Sequence, residues 1–580
     1  MRNMNIFSDS NFSKDSKKVL NLISLPFGTS DFEEVRKNGL YYVDKTLLIK
    51  DLIRFSSKVT LFTRPRRFGK TLTMSMLQNF FDVQKDSKEL FDGLKISKES
   101  EIYEKYRNQY PAIFVTLRSV EGMDFSFAFN NFKIAVQDMY KRHSILLNSS
   151  ILDDDDKELF TSLIKAKASE FETTNALKTL INLLYKHYNK PVIVLIDEYD
   201  VPLAKSAGTD FYDRMLFNIR NFLSPLKDNN YLKFAVITGC LRISKESIFT
   251  GTNNFYVDSF VSSSFNEYFG FTNEEVQELL KAAGALARYS DVKDWYDGYN
   301  SNGIDLYCPW DVIHYVKDFL KGKKDIPKCY WINTSDMNVI HTFIERYGNK
   351  VKNDFEKLVT GEVIRKPIKE NLTYDLLNSS EDNFWSILLM TGYLTSVEPD
   401  ASEDYTFRDR LSLRIPNKEV LQIYKSTLKE FFDDSVEPFK TDLEAAVWMG
   451  DVEKFKEILD KILLTTISFY DYKEDFYHAF LLGIFLGFGY NVESNKEHGE
   501  GRTDIILENP YGDKVAIFEL KHSNTRADLE KDCDKALNQI QEKKYAIDYE
   551  DDYDEILCYG ISFYRKRCLV KLFKLTNELR

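Results

Sequence analysis

The sequence predicts an α/β protein of several domains. Expected are a parallel sheet with helices on both faces in the first half, a mainly helical region after it, and a smaller α/β unit at the C-terminal end. Three observations carry that expectation. Val59-Thr60-Leu61-Phe62 is a short apolar run that leads through a basic loop into a helical pattern. Pro191-Val192-Ile193-Val194-Leu195-Ile196 is continuously apolar, as a central strand covered on both faces would be. Residues 501–521 read as two strands around a Pro/Gly turn.

Composition narrows the class. The 580 residues, 43% hydrophobic and 29% charged, correspond to roughly three to four globular domains at about 150 residues each. The longest nearly apolar stretch, Phe480 to Tyr490, has 11 residues, whereas a bilayer-spanning helix needs about 20, so no membrane partner is expected. Met1-Arg2-Asn3-Met4-Asn5 leads into polar residues without an apolar signal core. The 6 cysteines include no Cys-x-x-Cys pair, and they read as free thiols of a cytoplasmic protein. The 7 histidines form no zinc pattern. A net charge of −12 argues against general coating of nucleic acid, although residues 1–80 carry 14 basic and 7 acidic side chains. Acid runs such as Asp153-Asp154-Asp155-Asp156 read as solvated faces.

After the first strand comes Thr63-Arg64-Pro65-Arg66-Arg67-Phe68-Gly69-Lys70-Thr71, then Leu72, Met76, Leu77, Phe80 and Phe81 at helical spacing. Gly-Lys-Thr opening a helix is the end of a phosphate-binding loop. Backbone N–H groups would face the β-phosphate, Lys70 would reach the β- and γ-phosphates, and the Thr71 hydroxyl would hold Mg²⁺. The usual pattern has glycine where this chain has Arg64. A left-handed non-glycine residue costs roughly 1–2 kcal/mol, so the loop is expected to turn differently at its start. The plain alternative is a helix start that happens to contain Lys-Thr.

The apolar run at 191–196 ends in Asp197-Glu198-Tyr199-Asp200. Adjacent acids at the carboxyl end of a buried strand are costly unless they serve a cation, and they fit a Walker B motif. Asp197 would hold the Mg²⁺ water shell and Glu198 would polarise the attacking water. Residues 112–117 and 234–239 supply two further strands. The second delivers Thr238 and Arg242 to the same edge, either as γ-phosphate sensors or as a strand-end cap and a surface ion pair.

Leu25-Pro26-Phe27-Gly28, Phe32, Gly39-Leu40-Tyr41-Tyr42-Val43-Asp44-Lys45-Thr46 and the Arg64–Thr71 loop together resemble the bacterial AAA-ATPase-like family. So do Asp197-Glu198-Tyr199-Asp200, the segment Leu241-Arg242-Ile243-Ser244-Lys245-Glu246-Ser247-Ile248-Phe249, and Trp295-Tyr296-Asp297-Gly298-Tyr299. The resemblance implies a P-loop NTPase domain over 20–270 and a helical lid and linker over 271–435. It implies ATP bound through Arg64, Arg66, Arg67, Phe68, Gly69, Lys70, Thr71, Leu72, Asp197, Thr238 and Arg242. Within the lid, Thr272 and Glu275 form a capping box ahead of Val276, Leu279 and Leu280. Tyr307-Cys308-Pro309-Trp310-Asp311 reads as a turn into a helix, and Trp385, Leu388, Leu389 and Tyr393 as a core stripe. No chemistry is legible there.

Residues 474–487 read as a helix with Glu474 and His478 on one face. If the following hairpin is centred between Tyr511 and Gly512, Asp504 lies directly opposite Glu519, and Lys521 shares the face of Glu519. Facing carboxylates are destabilising unless a divalent cation offsets them, and Lys521 would then orient or deprotonate the attacking water. The set resembles PD-(D/E)xK phosphodiesterases residue by residue, with Asp504, Glu519 and Lys521 as the catalytic trio. This implies an α/β restriction-endonuclease-like domain over 436–580 using Mg²⁺, or alternatively Mn²⁺, on Asp504 and Glu519. By the same resemblance Glu474 would add an outer metal contact and Gln539 would touch the site or the nucleic-acid backbone. His478 reads as structural. An exposed hairpin of mixed charge is the plain alternative.

Residues 501–580 hold 14 basic and 16 acidic side chains, so affinity for nucleic acid would come from the metal, Arg502, Arg565-Lys566-Arg567 or the basic N-terminal region. The leading expectation is an ATP-binding, ATP-hydrolysing protein fused to a metal-dependent nuclease, with DNA favoured over RNA and a homo-oligomer admitted. The acidic balance supports the alternative, an ATP-dependent signalling or assembly switch whose nuclease-like domain only binds. A chaperone-like hexamer would need an arginine finger, and neither Arg66, Arg67 nor Arg242 stands out for it.

Overall fold

Strand β1 (Val59–Thr63) is buried along its whole length between two parallel neighbours, β4 (Leu232–Gly239) and β5 (Phe255–Ser259). In the computed structural model β2 (Ala112–Thr116) and β3 (Val192–Asp197) complete a five-stranded parallel sheet in the order β2-β3-β4-β1-β5. The structure describes residues 23–576 except 56, 243–254, 262–263, 323–325, 332–339, 341–353, 356, 360, 371, 373–379, 398–409, 467–473, 489–490, 495–496, 499–500 and 510–511. The expected segment Ile243 to Phe249 therefore lies outside the described residues. The continuous apolar runs of β1 and β3 follow from burial on both faces. One face carries helix α1 (Lys70–Phe81), with Met74, Met76, Leu77, Phe80 and Phe81 in the core. The other is covered by helices Phe125–Lys141, Ala176–Tyr188 and Tyr212–Leu223. Edge strand β5 had no clear sequence signal, since Tyr256 and Asp258 interrupt its apolar pattern.

This order separates the loop strand β1 from the acidic strand β3 by β4. Registers Phe62↔Thr238 and Ile196↔Ile237 bring Thr63, Asp197 and Gly239 to one edge, at the carboxyl ends of the strands. That is where open parallel sheets bind ligands.

The middle region shares the α1-side core, which runs on to Trp385, Leu388, Leu389, Tyr393 and Tyr424. Helix Asn273–Ala282 begins with the expected Thr272–Glu275 capping box. Helix α2 (Pro309–Leu320) follows Cys308, with Pro309 in its first turn. The region is not purely helical: Ile364–Pro367, Arg410–Arg414 and Thr395–Val397 form a small antiparallel sheet. Helix α3 (Lys418–Val436) leads out of it.

The C-terminal unit is a second five-stranded sheet. Its strands are β6 (Asn491–Ser494), β7 (Ile505–Glu508), β8 (Lys514–His522), β9 (Glu555–Tyr564) and β10 (Arg567–Thr576), in sequence order. Only β8 and β9 are parallel, joined by a crossover containing helix α5 (Leu529–Glu542). Helix α4 (Glu474–Gly487) covers the opposite face and packs against α3. Pairings Ile505↔Phe518 and Ile506↔Ile517 give the expected hairpin register.

Candidate functional site

Two clusters of functional side chains sit at strand ends, one in each sheet. In the first, the loop between β1 and α1 turns left-handed at Arg67 (φ 68°) and Gly69 (φ 82°), and not at Arg64. Gly69 caps α1 without a side-chain acceptor, which leaves first-turn N–H groups directed at the loop's concave side. Lys70 is buried and its Nζ donates to the carbonyls of Arg64 (3.0 Å) and Pro65 (2.8 Å). The ammonium thus spans the loop from inside. Cys240 Sγ lies 3.7 Å from it, and burial pushes that thiol's pKa up.

Asp197 gathers the hydroxyls. Thr71 donates to Oδ2 (2.9 Å) and Thr238 to Oδ1 (2.7 Å), with Thr116 3.5 Å from Oδ2. The Thr238 side chain therefore addresses Asp197, which makes it a support for that carboxylate in the free chain. Glu198 follows in the left-handed region (φ 53°), and burial, then the charge of Asp197, raises its carboxyl pKa. Asp200 accepts the backbone N–H groups of Cys240 (2.9 Å) and Leu241 (3.0 Å). A β-carbon on Gly239 would stand 2.6 Å from the Tyr199 ring, so only glycine fits where β4 passes the Asp197–Asp200 turn.

The loop arginines diverge. Arg66 is exposed. Arg64 is fully buried, its guanidinium ion-paired with Asp258 and set over the Phe269 ring at 4.9 Å. Of Arg64 only the backbone faces the loop, because its side chain is consumed in tying β1 to β5. Arg67 leaves sideways, stacking on Trp310 (4.9 Å) and donating to the Trp331 carbonyl (3.4 Å). Phe68 is a core residue packed edge-on against Tyr299 and Phe260, and Leu72 packs on the same cluster. Arg242 follows β4 half-buried. Phosphate chemistry here would fall to Lys70, Thr71, Asp197, Glu198 and the loop backbone. An anionic, Mg²⁺-bound nucleotide fits this donor set: N–H groups and an ammonium on one side, a hydroxyl and carboxylates on the other.

In the second cluster, alternation along the hairpin puts Glu519 and Lys521 on the face of Val515 and Ile517, under α5. Asp504 just precedes β7, and its Oδ2 accepts the Leu520 N–H (2.7 Å). Glu519 is 1% exposed. Lys521 Nζ donates to Glu519 Oε1 (2.8 Å) and to the Leu520 carbonyl (3.0 Å), so a cation already stands where oxygens converge. Among the described residues no three His, Cys, Asp or Glu side chains form a metal cage. Two carboxylates suit Mg²⁺ or Mn²⁺ that takes its other ligands from phosphate and water.

His478 reaches the cluster from α4: its Nε2–H points at the Asp504 carbonyl (2.9 Å) and lies 3.1 Å from Ser494 Oγ. Its ring thus helps to fix the backbone at Asp504. Glu474 opens α4, and its side chain, like that of Arg502, lies outside the described set. Gln539 donates to Tyr545 OH (3.3 Å). Tyr545 is the residue that sequence reasoning missed. It is buried, its hydroxyl stands 3.0 Å from where a Gly501 β-carbon would be, and burial together with the charges of Glu519 and Asp504 raises its pKa. Nothing local marks it, since only the return of the chain after α5 brings it to the site.

Comparisons with known proteins agree with this division. Residues 26–249 match the family model described as "Predicted AAA-ATPase", and residues 472–572 match that of the PD-(D/E)XK nuclease superfamily. Along 93% of its length the chain is 22% identical to the "Uncharacterized protein in vnfD 5'region" of Azotobacter chroococcum mcd 1, covering 96% of that protein. Among solved structures, a Signal Transduction ATPase with Numerous Domains (STAND) protein with a tetratricopeptide repeat sensor from Pyrococcus horikoshii matches at 13% identity and a TM-score of 0.24. That match covers 73% of this chain and 53% of the other, and the likeness is too slight to bear on the fold. The chain thus joins an AAA-ATPase-like domain to a domain of the PD-(D/E)XK nuclease superfamily.

Proposed function

We propose that the protein binds and hydrolyses ATP at the Arg64–Thr71 loop and, under control of that site, cleaves phosphodiester bonds of nucleic acid at Asp504, Glu519 and Lys521. The observation that supports the nuclease reading is that Glu519 and Lys521 pair with each other on β8 while Asp504 takes the N–H of Leu520 between them, close enough that the charges of all three act on Tyr545. A bound divalent cation would polarise the scissile phosphate and acidify a water. Asp504 and Glu519 would hold it, while Lys521, released from Glu519 Oε1, would orient the attacking water and neutralise charge on the phosphate. At the other site Lys70 would turn from the loop carbonyls to the phosphates. Thr71 and Asp197 would hold Mg²⁺ and its water shell, and Glu198, its pKa raised, would position and polarise the nucleophilic water.

The reading extends to a cytoplasmic protein acting on DNA in preference to RNA, with a homo-oligomer as one state of assembly. The net charge of −12 favours a second reading, a nucleotide-driven signalling or assembly switch whose nuclease-like domain only binds. Incubating the whole chain with a panel of DNA and RNA, with Mg²⁺ or Mn²⁺, alongside Lys521→Ala, separates the two. Metal-dependent cutting that the substitution abolishes supports the nuclease. Equal inertness of both proteins under every condition would leave the binding switch.

A further inference from the structure

Because β2, β3 and β4 are parallel, their amino ends share the sheet edge opposite the phosphate loop. The segments that lead into them are residues 105–111, 185–191 and 229–233. Together they carry 5 basic side chains, 5 tyrosines and no acid, with Glu104 and Asp228 at their borders. In a chain of net charge −12 this is a local reversal of sign. Neither candidate site uses any of these residues.

Rings and cations alternate along this edge. Tyr231, 40% exposed, stacks on Tyr185 with ring centroids 4.1 Å apart. Tyr106 and Tyr110, both half-buried, form a second near-parallel pair at 6.0 Å. Lys233 Nζ stands over both of these rings, at 5.9 and 5.4 Å, and Lys105 Nζ is 5.7 Å from the Tyr106 ring. Lys190 ties two of the segments together, donating to the Gln109 carbonyl (3.0 Å) and to its Oε1 (3.3 Å). The place of Lys233 follows from a bulge. Val192 pairs with Leu232 and Ile193 with Phe234, which leaves Lys233 as the extra residue, exposed in a strand that is otherwise buried. Arg107 and Lys186 are matched to acids, Asp86 at 3.9 Å and Asp156 at 2.7 Å. Lys105, Lys190 and Lys233 are held against rings and an amide, which leaves their charge open to an outside anion.

We propose that this amino edge is a docking surface for single-stranded nucleic acid. Tyr231 and the Tyr106–Tyr110 pair are its base-stacking platforms, and Lys105, Lys190 and Lys233 its phosphate contacts. Unpaired bases present their π-faces to tyrosines while the backbone that joins them presents phosphates to lysines. In a duplex those faces are taken up by neighbouring bases, so a single strand suits the rings and a duplex does not. An acidic peptide would meet the lysines but give the rings no role. The surface rests on the reading of nucleic acid as the partner, and it adds an anchor on the ATPase-like domain that needs neither metal nor nucleotide.

The test is fluorescence anisotropy of labelled oligo-dT and oligo-U with the whole chain, in EDTA so that no cutting intervenes, over a series of salt concentrations. Tyr231→Ala should weaken binding about 5–100-fold, whereas Tyr231→Phe, which keeps the ring, should bind as the wild type does. Lys233→Ala should reduce the slope of log affinity against log salt by about 0.7, the share of one phosphate contact on a single strand. Binding of either strand with these losses supports the surface, and the ratio of the two affinities identifies the sugar it accepts. Wild-type affinity and slope in both Tyr231→Ala and Lys233→Ala overturn it. So does equal competition by polyglutamate, which has the charges and lacks the bases. A wild type that binds neither strand also overturns the surface. Metal-dependent cutting of DNA by that same protein would then leave the nuclease reading standing.

Discussion

Replacing Arg64 by alanine removes a guanidinium that is 0% exposed and leaves the equally buried carboxylate of Asp258 behind. That carboxylate keeps the Ser264 N–H (2.8 Å) and the Tyr256 hydroxyl (3.2 Å), both of them neutral donors. Breaking one side of a buried ion pair costs about 3–5 kcal/mol. A domain of this size loses about 2–4 °C per kcal/mol, so Arg64→Ala should melt about 6–20 °C lower than the wild type. Arg64→Met with Asp258→Asn removes both charges and retains the volume over Phe269 and Phe62, and it should recover most of the loss. The assay is differential scanning calorimetry of the whole chain, following the transition that Mg²⁺-nucleotide shifts. Because the Arg64 side chain points away from the loop, the double variant should bind nucleotide as the wild type does. A double variant that is folded at wild-type stability yet has lost nucleotide binding would refute this account of Arg64.

Other consequences are as direct. Lys521→Ala should lower metal-dependent cleavage by about 10²–10³-fold and leave nucleotide affinity unchanged, measured by gel-based cleavage rates and calorimetry. Gly298 adopts φ 93° and a β-carbon there would run into the Pro416 carbonyl. Gly298→Ala should therefore cost more than the roughly 1–2 kcal/mol of left-handed strain alone, read as a lowered denaturation midpoint. Burial, helped by Arg142, holds the His143 ring down at about 4, below its ordinary 6.5, and burial raises nearby Asp82 from 3.8 to about 6. As pH falls from 6.5 to 4, the unfolded chain protonates His143 first and stability drops. From 6 towards 3.8, folded Asp82 takes its proton first and stability rises, so the two largely cancel. His143→Gln should unmask the Asp82 contribution and gain about 3 kcal/mol relative to the wild type between pH 6.5 and 4. Denaturant titrations at both pH values that give a constant difference would contradict this.

What the sequence displays is local. Gly69-Lys70-Thr71 after a strand, the acids ending β3 and the hairpin register around Gly512 are each set by neighbours a few residues away, and pattern alone positions them. Arg64 is different: its inward turn depends on Asp258 in β5, a strand whose polar residues conceal it. By sequence Thr238 suits a phosphate sensor or a strand-end cap, and the pairing of β4 with β3 turns its hydroxyl to Asp197. Tyr545 beside Gly501 and Arg67 on the Trp331 carbonyl join residues that are distant in sequence, and no periodicity announces such meetings. Gly298 in the Trp295–Tyr299 motif acquires its reason only when Pro416 is seen against it.

The measurement that tests the central claim most directly is the rate of Mg²⁺-dependent DNA cleavage by the whole chain as Mg²⁺-ATP is titrated. It would be made on the wild type and on Thr71→Ala, which removes the hydroxyl beside Asp197. A nuclease controlled by the phosphate loop predicts a rate that changes with ATP in the wild type and stays at its ATP-free value in Thr71→Ala. A wild-type rate that is indifferent to ATP while nucleotide is bound would contradict the coupling, leaving two independent sites on one chain.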